Sequence, residues 1–178
     1  MRKSLFFIIL CSISLAVLSS CSVIMSHIPG RLYDNSGEVL STAFQQIIDA
    51  IENKDKNALK ELFSKEAIKT DTHLDESIEV LFDLVEGSLI SYDDLGASTS
   101  GETNDENGYR NRFTGTYDII TTGGEYRLSF RMCTVDTGNR DNEGIQSLYI
   151  IRAEDTDPQF AYWGDGNWTP GIVIESTP

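Results

Sequence analysis

Two hydrophobic periodicities divide this chain, and together they restrict it to a small set of folds. In residues 39–52, apolar side chains recur at spacings of three and four, which is the pattern of one face of an amphipathic helix. From residue 109 onward, apolar and polar residues alternate, which indicates β-strands with one buried face. The first half therefore predicts helices, and the second half predicts the sheet that covers their apolar faces.

The helical half contains three predicted helices joined by short polar breaks. Asp55 is a plausible cap for the second helix, and Asp75 for the third, which ends near Gly87. The three apolar stripes are Leu40, Ala43, Phe44, Ile47, Ile48 and Ile51, then Ala58, Leu59, Leu62, Phe63 and Ala67, then Ile78, Leu81, Phe82 and Val85.

The strand half predicts an antiparallel meander. An extended segment begins at residues 88–95, and the stretch GASTSGETNDENG after it has the composition of a polar loop. Residues 109–121 and 126–137 flank Gly123-Gly124, a strong hairpin signal because tight hairpin turns need positive φ.

The two faces of these strands are predicted to differ. The strand at residues 145–152 is apolar on both faces near Leu148 to Ile151, which predicts a central strand covered on both sides. The fold class is therefore α+β, with three N-terminal helices on one face of an antiparallel sheet. In the second hairpin arm, a buried face of Tyr126, Leu128, Phe130 and Met132 alternates with a partly wet face of Arg127, Ser129 and Arg131.

The N-terminus has the parts of a bacterial lipoprotein signal. A basic start precedes the uncharged run LFFIILCSISLAVL, which is short for a membrane span, and LSSCS resembles the lipobox. The resemblance implies a lipid on Cys21 and cleavage just before it. We therefore expect a signal peptide at 1–20, the lipidated cysteine and a tether at 21–35, and a domain at 36–178 held on the extracytoplasmic face of the cell membrane. An ordinary signal peptide with an incidental cysteine is the alternative.

The charge of the chain is strongly negative. It has 14 basic and 28 acidic residues, a net charge of −14, and loss of Arg2 and Lys3 with the signal leaves 12 against 28, or −16. Such a charge disfavours binding to nucleic acid and to anionic lipid headgroups. It suits cations or basic partners, or serves solubility alone.

Several segments carry a family resemblance. The opening FQQIIDAIENKDKNALKELFSKEA is similar to the first helices of the NTF2-like superfamily, in which helices cover a curved sheet to form a cone with a cavity. NTF2-like chains commonly place a short strand between the second and third helices, and IKTDTH leaves little room for one. The pieces GEYRLSF, TVDT, GIQSLYIIRAED, FAYWGD and GIVI resemble a family of bacterial lipoproteins known only as a domain of unknown function. This resemblance implies an NTF2-like or cystatin-like α+β cone and no particular activity.

No catalytic or metal-binding constellation stands out. His27 lies in the predicted tether, His73 lies among acidic residues, and Cys133 reads as a packed strand thiol. The loops TNDENGY and DTGNRDNEG fail the spacing of a calcium loop and are read as solvated loops. We expect no cofactor and no metal.

Aromatic residues near the C-terminus are the candidate binding surface. They could form a stacking surface for a ligand or partner where they meet Tyr126 and Phe130, or a strand and turn that seal the core. We expect a non-catalytic module that binds a small ligand or a protein; the alternatives are a small isomerase- or dehydratase-type enzyme and a structural envelope protein. The C-terminal aromatic residues are Phe160, Tyr162, Trp163 and Trp168.

Overall fold

The computed structural model describes residues 36–105, 108–156 and 167–175. They all belong to one compact unit, Leu32–Pro178. Cys21, the signal peptide and the tether lie outside this part of the chain. Among the described helices, none is long and apolar enough to cross a membrane. The elements are α1 (Ser36–Glu52), α2 (Lys56–Glu61), α3 (Lys65–Thr70), α4 (Leu74–Leu84), β1 (Leu89–Asp105), β2 (Gly108–Thr121), β3 (Glu125–Asp136), β4 (Gly144–Arg152) and β5 (Gly171–Ile174).

Helix α1 buries the apolar stripe that its sequence predicts. Each of the six stripe residues is at most 5% exposed, and burial of each large aliphatic side chain contributes about 1.5–3 kcal/mol. The cap of the next helix is also confirmed, because the Asp55 carboxylate accepts a hydrogen bond from the Ala58 N–H at 3.0 Å.

The second predicted helix is in fact two short helices, so the described chain has four helices instead of three. The break lies at Ser64, whose hydroxyl accepts the Ala67 N–H at 3.1 Å and so starts α3. The Ser64 N–H donates to the Ile145 carbonyl, and the Ile145 N–H donates to the Leu62 carbonyl, both at 2.8 Å. These backbone bonds to β4 replace bonds that a continuous helix would make. The apolar stripe alone did not reveal the break.

Helix α4 corresponds to the third predicted helix, with a different start. It begins at Leu74, and the predicted cap Asp75 lies inside the first turn, where its carboxylate accepts a hydrogen bond from Lys60 at 2.8 Å. Its inward residues are buried as predicted, and Gly87 follows the helix with a positive φ of 81°.

The sheet has the order β1-β2-β3-β4-β5 among the described strands. The first four strands form the predicted antiparallel meander, whereas β5 pairs with β4 in parallel. The chain is thus a mixed α+β fold, with four helices packed against a five-stranded open sheet. Strand β4 lies between β3 and β5, and its residues Leu148, Tyr149 and Ile150 are at most 3% exposed, which confirms the predicted central strand.

The stretch predicted as a polar loop after residue 95 is part of a strand. Strand β1 runs to Asp105 and pairs with β2 along its length, with three register shifts. Backbone hydrogen bonds hold this pairing, and they require no apolar side chain. Composition is therefore a poor guide to the length of an edge strand.

The β2–β3 hairpin is confirmed, but the reason given for its glycines is wrong. Neither Gly123 nor Gly124 has a positive φ. Gly123 is needed for space, because a Cβ there would lie 2.6 Å from the carbonyl oxygen and the Cβ of Glu86. The hairpin turn is thus packed against the chain that leads from α4 into β1.

Aromatic rings pack between the helices and the inner face of the sheet. Phe44 of α1 stacks on Tyr117 of β2 at 4.0 Å between ring centroids, and Tyr117 lies parallel to Phe130 of β3 at 6.1 Å. Tyr126 is also buried, and its hydroxyl donates to the Leu84 carbonyl at 2.9 Å. The predicted inward face of β3 is confirmed, since its four residues are at most 5% exposed.

Replacing Gly144 with alanine tests the contact between the α2–α3 turn and β4. Gly144 has a φ of 121°, and a Cβ there would lie 2.8 Å from the Ser64 nitrogen. We expect Gly144→Ala to lower the free energy of unfolding by about 1–3 kcal/mol in chemical denaturation. The control is Gly37→Ala, because a Cβ at Gly37 meets nothing within 4 Å. Equal stability of both variants would contradict the assignment.

Candidate functional site

A cavity of about 270 Å³ lies beside the outer face of the sheet, the face opposite the one on which Phe44 of α1 packs. Strands β2, β3 and β4 supply one wall and α3 another, and the residues just before β5 supply a third. This volume is just below the roughly 300–1,000 Å³ usual for ligand pockets, which suits a small ligand. The lining residues are Ser64, Glu66, Ala67, Thr70, Arg112, Arg131, Asn142, Gln146, Ser147, Asn167, Trp168 and Pro170.

Two arginines on the sheet face this cavity. Thr114 of β2 pairs with Arg131 of β3, and Arg112 pairs with Cys133, so the two arginines are diagonal neighbours on one face. The Nε atoms of both arginines are buried and have no hydrogen-bond partner among the described residues. The Thr114 hydroxyl beside them is in the same state. A buried donor without a hydrogen-bond partner lowers the stability of the fold, so three such donors together indicate that a bound group supplies the acceptors.

Trp168 lines the cavity on the side that faces Arg131 of the sheet. The Arg131 guanidinium carbon lies 5.2 Å from the centroid of the Trp168 ring, within cation–π distance. The Trp168 carbonyl accepts a hydrogen bond from the Ser147 hydroxyl at 3.0 Å, and Tyr149 packs against the indole ring edge-to-face at 5.9 Å. Trp168 has a φ of 53°, a left-handed conformation that costs a residue with a side chain on the order of 1–3 kcal/mol. Its neighbours therefore hold the indole in a defined position.

The cavity is positively charged although the chain is acidic. Burial lowers the pKa of Arg131, and the neighbouring positive charge of Arg112 lowers it further. Glu66 is the acidic residue among those that line the cavity, and Lys69 pairs with it at 3.7 Å. The two sheet arginines thus face a space with little opposing charge among the described residues.

Asp136 organises the β3–β4 loop that carries Asn142 to the cavity. One carboxylate oxygen accepts hydrogen bonds from the backbone of Gly138 and Asn139, and the other from Arg110 Nε at 2.6 Å and Asn142 Nδ2 at 2.8 Å. Burial acts to raise the pKa of Asp136, but the bonds from Asn142, Asn139 and Arg110 outweigh it and lower the pKa to about 2. The carboxylate is therefore occupied by protein donors.

Metal-binding groups do not converge in the part of the chain that the structure describes. No group of three or more histidine, cysteine, aspartate or glutamate side chains there is arranged to hold a metal ion. The first acidic loop of the sequence analysis is a continuation of the β1–β2 ladder, up to the pair Asp105 and Gly108.

Of the three residues considered for nucleophilic or acid–base chemistry, Cys133 and His73 are not in the cavity lining, and His27 lies outside the described residues. Cys133 is 1% exposed, and burial raises the pKa of its thiol to about 11, so that it stays protonated at neutral pH. The His73 side chain is 81% exposed, and its Nδ1 lies 3.8 Å from Glu76.

The structure separates the predicted aromatic surface residues. Tyr126 and Phe130 belong to the core on the inner face, whereas Trp168 packs on Tyr149 at the outer face. The expected meeting of Trp168 with Phe130 therefore does not occur, because alternate strand residues point to opposite faces. The other predicted aromatic residues, Phe160, Tyr162 and Trp163, lie outside the described residues.

Sequence reasoning missed the two cavity arginines. The alternation in β3 placed Arg131 on the partly wet face of that strand, but it predicted no binding role for Arg131 or for Arg112. The available signal was the distribution of charge: β2 and β3 carry four arginines, Arg110, Arg112, Arg127 and Arg131, in a chain with a net charge of −14. That the Nε atoms of Arg112 and Arg131 have no partner among the residues the structure describes could not be predicted from the sequence.

The fold and the site together define an α+β domain with a small, positively charged polar cavity. Residues 46–153 match the family described as Domain of unknown function (DUF5104), and the chain belongs to this family. Comparison with curated proteins finds no match to this chain.

Replacing Asp136 with asparagine should weaken the fold and change its response to acid. The pKa of Asp136 is about 2 in the folded chain and 3.8 ordinarily, so its contribution is present above about pH 4 and lost as the pH falls through 2. We expect Asp136→Asn to lower the unfolding free energy by about 2 kcal/mol at neutral pH and to lose less stability between pH 4 and pH 2.

Asp141→Asn is the matched control for that experiment. Asp141 lies in the same loop and pairs with Lys65 at 3.4 Å, but its side chain is 56% exposed. Removing an exposed pair should change stability by less than about 1 kcal/mol. If the two variants lose equal stability at every pH, the role assigned to Asp136 is wrong.

Proposed function

We propose that this protein is a membrane-anchored bacterial lipoprotein whose folded domain binds a small ligand without transforming it. The single observation that carries the binding function is the cavity lined by Arg112, Arg131 and Trp168, whose two arginines have buried Nε atoms without a partner among the described residues. Concave sites with a few convergent polar groups are the usual form of small-ligand sites.

The anchor is supported by the sequence that precedes the described domain. The basic start, the apolar run and LSSCS resemble a lipobox, in which Cys21 carries the lipid. Two or more acyl chains hold a protein on a bilayer stably. Residues 21–35 then act as the tether, and the domain works on the extracytoplasmic face of the membrane.

An NTF2-like relationship is part of the same proposal. It is supported by the helices that pack on one face of a sheet with an antiparallel meander. On the inner face, where an NTF2-like cone would open, Phe44, Tyr117 and Phe130 pack against one another. The proposed site is therefore on the other face of the sheet.

The enzyme alternative has less support. An isomerase or dehydratase of the cone type needs a base or acid in the cone. Among the described residues the buried carboxylate is Asp136, which protein donors already occupy, and the polar groups of the hydrophobic core are the hydroxyls of Tyr117 and Tyr126. We therefore propose a binding function in preference to catalysis.

A structural role in the envelope is the second candidate, and one observation favours it. Ile90, Tyr92 and Leu95 of the edge strand β1 are 64%, 43% and 39% exposed, and Ile120 of β2 is 39% exposed. Exposed apolar residues on an edge strand can pair with another chain. If Ile90→Asp abolishes a crosslinked partner in native membranes while small-ligand binding persists, the edge serves a second function.

The lipid anchor predicts incorporation of labelled palmitate into the wild-type protein and none into Cys21→Ala. The physical reason is that the Cys21 thiol is the acceptor of the lipid. Gel autoradiography of membrane fractions measures the label. Label in both forms would refute the anchor, and Cys11→Ala, which should label normally, controls for an effect of cysteine loss alone.

The cavity predicts that a bulky side chain at its rim blocks ligands. Thr70 is an exposed lining residue, and Thr70→Trp should weaken the binding of any small ligand of the wild-type chain roughly tenfold or more. Isothermal titration calorimetry of the full chain in non-ionic detergent measures this. Thr42→Trp, at an exposed position of α1, should bind normally; equal affinity of all three forms would exclude the cavity.

A further inference from the structure

We infer that the cavity receives the oxyanion group, carboxylate or phosphate, of a small molecule and holds it between Arg112 and Arg131. This inference rests on the proposed binding function and names its ligand class. The site lies on the outer face of β2 and β3, with Trp168 as its opposite wall.

The donors that lack partners point to an acceptor. The Nε atoms of Arg112 and Arg131 and the Thr114 hydroxyl are all buried without a hydrogen-bond partner among the described residues. The register brings them to one face, because Thr114 pairs directly with Arg131 and Arg112 lies two residues before Thr114. Arg112 and Arg131 line the cavity and Thr114 lies beside them, so a small movement of the guanidinium groups would bring an anion with several acceptor oxygens to donors that have no partner among the described residues.

Charge leads to the same ligand class. Two guanidinium groups side by side repel each other, and an anion between them removes this repulsion. Arginine holds carboxylate and phosphate through paired N–H donors, so a planar or tetrahedral oxyanion fits this pair. Asp136 already neutralises Arg110, and Asp118 neutralises Arg127, whereas no ion pair of Arg112 or Arg131 occurs among the described residues.

The rest of the chain limits the size of the anion. A net charge of −14 repels large polyanions such as nucleic acids over long distances. A cavity of about 270 Å³ also admits only a small molecule. A monosaccharide acid or a sugar phosphate has suitable dimensions, with a polar ring that can contact Trp168 and the side chains of Asn142 and Gln146.

The test compares matched probes on the full wild-type chain in non-ionic detergent. The probes are D-glucose, D-glucuronate, D-glucose 6-phosphate and inorganic phosphate at constant ionic strength. We expect the Nε–Hε resonances of Arg112 and Arg131 to shift saturably with at least one anion, and its Kd to be at least tenfold lower than that of glucose. Preference for glucuronate assigns a carboxylate, and preference for either phosphate probe assigns a phosphate group.

Arginine variants distinguish binding at Arg112 and Arg131 from a general effect of net charge on the Kd. Arg112→Gln and Arg131→Gln should each raise the Kd of the preferred anion roughly tenfold or more, because each removes a charged donor. Arg131→Lys should restore the binding only in part, since lysine keeps the charge and loses the planar fork. Arg127→Gln is the control, because it changes the net charge equally on the same face of β3 and lies outside the cavity lining.

The outcomes distinguish this inference from the proposed function. Glucose binding that Thr70→Trp blocks, without preference for an anion, overturns the oxyanion inference and leaves small-ligand binding intact. Absence of saturable binding by every probe overturns both. Anion binding that Arg112→Gln and Arg131→Gln leave unchanged also overturns the inference. The resonance shifts are measured on the wild-type chain, so the inference stays testable even if a variant fails to fold.

Discussion

Two backbone hydrogen bonds join the turn before α3 to the first residues of β4. The Ser64 N–H donates to the Ile145 carbonyl, and the Ile145 N–H donates to the Leu62 carbonyl, both at 2.8 Å. This pairing ends the helix that the apolar stripe would otherwise continue, and it fixes α3 beside the sheet. The cavity depends on it, because α3 supplies one wall and the β3–β4 loop, which ends where β4 begins, supplies Asn142.

The two faces of the sheet are buried by different kinds of side chain. The inner face is apolar, and the rings of Phe44, Tyr117 and Phe130 fill it against α1. The outer face is also buried at its centre, but with polar groups: the Thr116 and Ser129 hydroxyls, for example, lie 2.6 Å apart in a hydrogen bond. Buried polar groups need partners at specific positions, whereas apolar groups need only space. The polar cavity lies at Arg112 and Arg131, where this second face has donors without a partner among the described residues.

The sequence predicted those parts of the fold that follow from local periodicity. The stripe of α1, the Asp55 cap, the β2–β3 hairpin and the buried face of β3 were all correct, since each depends on residues close in the chain. The break at Ser64 and the parallel β5 depend on contacts between distant segments, which no local pattern encodes. The site was only partly predictable for the same reason: alternation placed Arg131 on the wet face, but its relation to Arg112 and Trp168 requires the register of three strands and a loop.

The family match and the site do not have the same boundaries. The matched segment ends at residue 153, so it contains both cavity arginines but not Trp168. The groups proposed to hold an oxyanion thus lie on the central strands, where the packed core fixes their backbone. The indole that closes the cavity comes from a separate segment, attached to the sheet by the bond from Ser147 and by packing on Tyr149. In the proposed site, Arg112 and Arg131 of the sheet therefore bind the charged group of the ligand. Trp168, in the segment before β5, contacts the rest of the ligand.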